Sequence, residues 1–307
     1  MKLQILLATY NSENFLRQQL DSILAQDHQE FSVLLRDANS TDSTLEIISE
    51  YAGKYPEKII FTGQEKAGAC QNFSRLLELS DADLLMFSDH DDFWLPDKIS
   101  RTLKKYRQAQ EMYGKESPIL VFTDSTVTDE ELNELNYSMF DCQKLNAENY
   151  TFQRLTVQNT ASGNTMLFNR ALKELAVPIP EEAVMHDHYL MLTACALGKV
   201  ILLNEPTLFY RQHGGNVLGA ADYGFWYLFR KLANGRNTIA DRFEKNIVQA
   251  EAFYIRNRGN LPPDIENFLS ELMEFRTLGF FAKRKFLLKH KMFKCGFWRN
   301  IGMFLLI

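Results

Sequence analysis

Three carboxylates fall within four residues of this 307-residue chain, at Asp89, Asp91 and Asp92, directly behind the apolar run Leu84-Leu85-Met86-Phe87. That run reads as a buried strand, and Phe93, Trp94 and Pro96 beyond the acids read as the entry to a helix. Neighbouring like charges repel unless a cation sits among them. Mg²⁺ and Mn²⁺ favour carboxylate oxygen and keep open positions for phosphate, so acids at the carboxyl end of a strand suit a phosphate-bearing ligand bridged by metal. A solvated acidic turn is the plainer alternative, because Asp-x-Asp is short and common.

The elements that must position these acids alternate in type. Leu3 to Ala8 reads as a first buried strand, and Thr9-Tyr10-Asn11-Ser12 opens a helix whose apolar residues Phe15, Leu16, Leu20, Ile23 and Leu24 keep helical spacing. Phe31 to Leu35 repeats the strand and ends in Arg36-Asp37-Ala38-Asn39-Ser40, before a helix from about Ser43, which stands at capping-box spacing from Glu46. Ile59 to Phe61 is a third strand and Gly68 to Leu79 a third helix. Strands and helices in this alternation predict a parallel sheet whose ligand lies beyond the strands' carboxyl ends. Thr9 to Asn11, Asp37 to Ser40 and Asp89 to Asp92 would then meet in one crevice. Further on, Pro96 to Met112 reads as a helix, Ile119 to Phe122 as a strand ending at Asp124, and residues 128 to 150 as a polar surface loop. A small-residue turn, Ala161-Ser162-Gly163-Asn164, precedes another strand, and Met185-His186-Asp187-His188-Tyr189 opens a helix that runs through Leu197.

No G-x-G-x-x-G follows the first strand and there is no Walker A motif, which excludes the commonest nucleotide cradles. Thr9-Tyr10-Asn11, Arg36-Asp37-x-x-Ser40-x-Asp42, Gly68-x-x-x-Asn72-Phe73 and Ser88-Asp89-x-Asp91-Asp92-x-Trp94 occur in order over about the first 100 residues. In this the chain resembles the family 2 glycosyltransferases of the GT-A fold, in particular their rhamnosyltransferase branch. The resemblance implies an α/β fold, a Rossmann-like, mostly parallel sheet with flanking helices. It implies that Thr9 and Asp37 contact the nucleotide base, Asp37 accepting from the imide N–H of uracil or thymine. Tyr10, Asn11, Asn39, Gly68, Asn72 and Ser88 would line the donor site, Asp89 would lie by the ribose and the metal, and Asp91 would hold Mg²⁺ or Mn²⁺. Two departures stand out. The family's Asp-Asp-Gly-Ser is here Asp37-Ala38-Asn39-Ser40, where Asn39 can supply the left-handed backbone of the glycine but Ala38 removes a carboxylate. His90 replaces a glutamine, and on an extended segment it points away from the acids on either side of it.

In the second half, the resemblance makes Asp187 the general base and puts Trp94, Asn164 and His188 on the acceptor side. Displacement of a nucleotide diphosphate by a hydroxyl needs a proton acceptor there; a helix-dipole acid is the alternative. In Tyr210-Arg211-Gln212-His213-Gly214-Gly215-Asn216, Arg211 would bind phosphate and His213 metal or phosphate, with the glycines as a hinge, or the segment would only stabilise its own loop.

The net charge of −5 conceals an asymmetry. Residues 276 to 307 hold eight Lys or Arg and no acid, which leaves 26 − 39 = −13 for residues 1 to 275. A boundary is expected near residue 220. It separates a catalytic domain, 1–220, with a nucleotide half of about 1–125 and an acceptor half of about 126–220, from a helical, basic and aromatic region, 221–307. That region suits either an anionic membrane surface or packing on the core or a second subunit. Four scattered cysteines argue for free thiols, and the short apolar start argues against a secretory signal, so a cytoplasmic enzyme at the inner membrane surface is expected. The implied partners are a dTDP- or UDP-linked sugar and a saccharide acceptor on polyprenyl diphosphate, with a homodimer open and nothing calling for nucleic acid. The implied activity is inverting, metal-dependent transfer of L-rhamnose from dTDP-L-rhamnose, with a UDP-hexose or UDP-N-acetylhexosamine as the other donor. A non-catalytic partner of another transferase is the alternative of a different class. A sugar nucleotidyltransferase is disfavoured, since its glycine-rich basic signature is missing after Leu3 to Ala8.

Overall fold

Alternate residues of the first strand, β1 (Leu3–Thr9), enter two different cores. Leu3, Ile5 and Leu7 join one cluster, and Leu6 and Ala8 join the other. A strand apolar on both faces must lie inside a sheet covered on both sides. In the computed structural model, which describes residues 1–214 and 237–307, it does.

Among the described residues the sheet has nine strands. With β2 (Phe31–Asp37), β3 (Ile59–Gln64), β4 (Leu84–Ser88), β5 (Phe93–Trp94), β6 (Ile119–Thr128), β8 (Met166–Asn169) and β9 (Lys199–Arg211), the order is β3-β2-β1-β4-β8-β6-β9-β5. A short β7 (Glu134–Asn136) pairs with β6. β3, β2, β1 and β4 run parallel, as do β6 and β9, while β8 runs antiparallel between β4 and β6 and β5 antiparallel to β9. The mostly parallel sheet is as expected. The reversed strand at its centre, β8, is reached from β6 through residues 129–165, which carry β7, two short helices and the turn at 163–165.

α1 (Leu16–Leu24), α2 (Thr44–Lys54), α3 (Ala69–Leu79) and α4 (Lys98–Tyr113) flank the first half. Ser43 makes no side-chain cap; the Asp42 carboxylate accepts from the Thr44 N–H at 3.1 Å and its hydroxyl at 2.5 Å instead. α4 starts two residues beyond Pro96. Residues 128–150 lie largely at the surface, as expected, but are anchored to the core in part. β6 continues to Thr128, and Met139, Phe140 and Ala147 are buried around α5 (Met139–Cys142). The polar composition hides the anchoring, which one buried acid organises: Asp124 accepts from the Met139 N–H at 3.1 Å, the Phe140 N–H at 3.3 Å and the Ser138 hydroxyl. Short α6 (Phe152–Leu155) and α7 (Arg170–Ala176) lead to α8 (His186–Leu197).

The C-terminal helices Asn237–Asn257, Pro263–Leu272, Phe280–Lys289 and Phe297–Leu306 share the core of the sheet's second face. Phe253, Phe268, Phe286, Leu287 and Met303 belong to the cluster that contains Phe87, Phe122 and Phe168. The expected boundary at 220, the basic-aromatic run 224–231 and the glycine hinge at Gly215 lie outside the described residues. Among the described residues no helix is long and apolar enough to cross a membrane.

Candidate active site

Parallel pairing in the first half brings three strand ends level. Thr9 stands opposite Asp37, and Leu7 opposite Ser88. The Asp37 carboxylate, fully buried, accepts from the Thr9 hydroxyl at 2.7 Å and from the Ser40 hydroxyl and N–H at 2.6 and 2.7 Å. Asn39 is left-handed, with φ +66°, as its place in the family's glycine position anticipates. Asn11 is left-handed too, and its side chain accepts from the Thr41 N–H at 2.9 Å. Tyr10 is exposed and Gly68 caps α3 in open space. Asn72, buried, donates to the Arg36 carbonyl at 3.4 Å, and its own amide oxygen finds no partner.

The acidic turn sorts its three carboxylates. Asp92 is buried and accepts from Asn164 Nδ2 at 2.5 Å, while Asp89 and Asp91 keep partial exposure. Burial, then the charges of Asp91 and Asp187, push Asp89 up to about 8; burial and the other two acids also raise Asp92. Such mutual repulsion is what a bound cation relieves. His90 turns back to the Ala8 carbonyl, Nδ1 to O 3.3 Å, away from the acids.

A second pairing closes the site from the far side. β5 and β9 are antiparallel with Phe93 opposite Phe209, and the same register carried two residues on sets Asp91 opposite Arg211. Arg211 Nε accordingly donates to the Asp91 carbonyl at 2.9 Å, and two residues later His213 Nε2 lies 2.9 Å from Asp91 Oδ2. Both side chains are mostly buried, 13% and 14% exposed. His213 Nε2 and Asp91 Oδ2 bond to each other here; both are donor types that Mn²⁺ or Mg²⁺ accepts, and each would turn from the other toward a shared ion. No group of three His, Cys, Asp or Glu forms a complete metal cage among the described residues. Phosphate oxygens and water usually complete a Mg²⁺ shell, so two protein ligands suffice.

Asp187 sits in the first turn of α8, near enough to Asp89 for the two charges to act on each other. Its Oδ2 accepts from the Gly163 N–H at 3.0 Å and its Oδ1 from the His188 N–H at 2.6 Å. Burial, outweighing those two bonds, pushes its carboxyl up to about 6. Gly163 allows the turn to approach this closely: a Cβ there would stand 3.1 Å from His186 Nε2 and 3.3 Å from Asp187 Cβ.

Three expected site residues are turned inward, and Arg211, which is at the site, has another role there. Trp94 is in the core, its backbone N–H bonded to Ser22 Oγ at 3.0 Å, because the two-residue β5 is sandwiched against α1. Asn164 is buried behind the turn and holds Asp92 rather than an acceptor. His188 points inward, Nε2 to the Leu155 carbonyl at 2.6 Å and Nδ1 to Gln249 Nε2 at 3.3 Å, since successive helical residues differ by about 100° and cannot share one face with Asp187. Arg211 spends donors on the Asp91 and Glu130 carbonyls and on Gln18 Oε1 at 2.5 Å, so it orders the turn.

Residues of α1 and the turn before it escaped the sequence reading. Phe15 carries His213 and Arg211 on its ring, at 4.7 and 4.8 Å, Gln18 binds Arg211, and Gln19 Nε2 donates to Ser88 Oγ at 2.8 Å. Their i, i+3, i+4 spacing was the available signal.

Residues 4–175 match the family model "Glycosyl transferase family 2". A dTDP-rhamnosyl transferase, RfbG, of Shigella flexneri is 27% identical over 246 residues, 75% of this chain and 79% of the relative. An uncharacterised Mycobacterium bovis protein is 26% identical over 229 residues, 73% of this chain, but the match spans only 60% of that relative's length. Among solved structures, S. aureus TarS 1-349 in complex with UDP superposes with a TM-score of 0.58 at 18% identity, over 96% of this chain and 73% of that one. The mannosyltransferase PcManGT from Pyrobaculum calidifontis, in complex with GDP-Man and Mn²⁺, gives 0.51 at 13% identity, over 99% and 86%. The two structures share the GT-A type of fold seen here. With more than half of its length matched to the family model, the chain belongs to glycosyl transferase family 2.

Proposed function

We propose that this glycosyltransferase moves L-rhamnose from dTDP-L-rhamnose to a saccharide acceptor with inversion, in a metal-dependent reaction. The observation that carries the reading is Asp187, a lone carboxylate held by two backbone N–H groups and near enough to Asp89 to raise its pKa. In a single displacement the acceptor hydroxyl forms the new bond to the anomeric carbon and gives its proton to Asp187. The bond from that carbon to the diphosphate oxygen breaks, and its electron pair leaves with the nucleotide. Asp91 and His213 would hold Mg²⁺ or Mn²⁺, whose charge offsets the charge that develops on the diphosphate. Thr9, Asp37 and Ser40 form the base end of the crevice. Asp37 already accepts three bonds, so any imide contact falls to the remaining lone pair of Oδ2.

Rhamnose is favoured by the name of the Shigella relative; UDP-N-acetylglucosamine is the second reading, because TarS has been solved with it. Thymine and uracil present the same imide edge, so a donor panel decides. We expect hydrolysis and transfer with dTDP-L-rhamnose, stimulated by Mn²⁺ or Mg²⁺, and a product whose anomeric configuration is opposite to the donor's. Absence of turnover with every nucleotide sugar would instead favour a non-catalytic partner subunit.

The acceptor is read as a polyprenyl-diphosphate-linked saccharide at the cytoplasmic membrane face, with the C-terminal helices as the docking surface. Phe281 is 84% and Phe297 71% exposed among the eight cations of 276–307. At least two of those cations are already paired, Arg276 with Glu244 at 2.6 Å and Lys289 with Glu271 at 2.5 Å. Each free cation near an anionic leaflet contributes about 1 kcal/mol, weakened by salt. Deleting the tail would strip Phe286, Leu287 and Met303 from the core, so point changes are the usable test. Phe281→Ser with Phe297→Ser, and Lys283→Glu with Lys285→Glu, should each reduce flotation with anionic vesicles at low salt. If wild-type protein ignores those vesicles, a second subunit becomes the better occupant of this surface.

A further inference from the structure

The helix α8 begins without a cap of its own: Met185, at its N-cap position, offers no side-chain bond to the N–H groups of the first turn. The hold comes from outside, from Gln249 on the helix Asn237–Asn257. Gln249 is fully buried, and its amide reaches both sides of that start. Its Oε1 accepts from the Val184 N–H at 2.8 Å, just ahead of α8, and its Nε2 lies 3.3 Å from Nδ1 of His188 inside the first turn. The donors and acceptors have one consistent arrangement. His188 Nε2 stands 2.6 Å from the Leu155 carbonyl, which can only accept, so the ring carries its proton on Nε2 and Nδ1 accepts from the amide. Burial keeps that ring neutral, its pKa lowered to about 4. A flipped Gln249 would set donor against donor at Val184 and acceptor against acceptor at His188. His188 passes the restraint on, because its backbone N–H donates to Asp187 Oδ1 at 2.6 Å.

We propose that Gln249 is a positioning residue for Asp187, an amide that clamps the start of α8 from the C-terminal helices and so fixes the direction of the carboxylate. This rests on reading Asp187 as the base that takes the acceptor's proton. The clamp stands in for the missing cap with one bond on either side of Asp187 in the chain, at Val184 and at His188. The second carboxylate oxygen is held by the Gly163 N–H at 3.0 Å, so the group is restrained from two directions. Without the amide, the Val184 N–H and His188 Nδ1 are left buried and unpaired, a state that the turn escapes only by moving. A displacement of about 1 Å at a reacting group can cost about 10²-fold in rate. Asn246 gives the comparison, because it is also buried and ties the same helix to a different segment, donating to the Val157 carbonyl at 3.2 Å.

The test is steady-state kinetics on the full chain with Gln249→Met, Asn246→Leu, Asp187→Asn and the first combined with the last, with thermal midpoints beside them. Gln249→Met should lower kcat about 10- to 100-fold and leave the donor KM unchanged. Gln249→Met and Asn246→Leu should each lose about 5 °C of midpoint, but Asn246→Leu should keep its kcat. In the Asp187→Asn background Gln249→Met should cost little more, since residues that act as one unit do not add. A Gln249→Met kcat no lower than that of Asn246→Leu, a loss that multiplies in the Asp187→Asn background, or a raised donor KM with kcat kept overturns the positioning role. Near wild-type turnover by Asp187→Asn overturns the base reading and the positioning role together, whereas a crippled Asp187→Asn beside an active Gln249→Met overturns the positioning role alone. If Gln249→Met does not fold, His188→Phe, which keeps the bulk of the ring and removes both its bonds, carries the same expectations. The clamp can also be read without turnover. Nitrogen NMR of the wild-type protein should show the His188 imidazole neutral at about pH 6 with its proton on Nε2, and a proton on Nδ1 instead would overturn the clamp.

Discussion

Asp187→Asn should lower turnover by about 10²- to 10⁴-fold while nucleotide-sugar affinity stays near that of wild type. The size follows from the role, since the amide cannot take the acceptor's proton. The carboxylate accepts one backbone N–H at each oxygen, from Gly163 and His188. An amide keeps one of these bonds and turns its own N–H₂ toward the other donor, a loss on the order of 1 kcal/mol that is offset above pH 6 by removal of a buried charge. Thermal midpoints measured beside the kinetics separate the two effects. The pH profile gives an independent check. With the carboxyl raised to about 6, wild-type kcat/KM should climb as Asp187 ionises and level off above that pH. The stability effect has the opposite sense. A folded-state pKa above the ordinary carboxylate range means that the fold favours the protonated form, so this group's contribution is fully present at low pH and is lost as pH rises through 6. Normal turnover at saturating donor, with only donor binding weakened, would move Asp187 out of the chemistry.

Asp91→Asn should lower turnover on the order of 10²- to 10³-fold, because the residue would lose most of its hold on the cation. The fold should survive. The bond that ties the turn to β9 runs from Arg211 Nε to the Asp91 backbone carbonyl, which the substitution leaves in place. His213 Nε2 still finds an oxygen in the amide, but a neutral one, so Mn²⁺ titrations should show the loss directly. Near wild-type turnover by the variant, or full wild-type turnover in chelator, would remove the metal from the mechanism.

What the sequence by itself determined is local or nearly so. The period-two burial of β1, the helical spacing after Thr9, the left-handed Asn39 and the existence of the helix around Asp187 follow from side-chain pattern and backbone preference over a few residues. Parallel alternation then sufficed to bring Thr9, Asp37 and the acidic turn to one edge, because strands linked by helices in this order share a direction. The tertiary structure alone decided which side chains use that edge. Arg211 and His213 reach Asp91 because a two-residue strand pairs with one more than 110 residues later, and no local pattern encodes that register. The same distant packing turned Trp94, Asn164 and His188 inward, since the layers that bury them, α1, the turn at 163–165 and the helix Asn237–Asn257, are far from them in sequence or gain their position only on folding. Lys98 is the sharpest case. In the sequence it is one charge at the head of a polar helix, and only the closure of β5, β6 and β9 around it buries it, with its ammonium on Thr207 Oγ1 and the Trp94 ring.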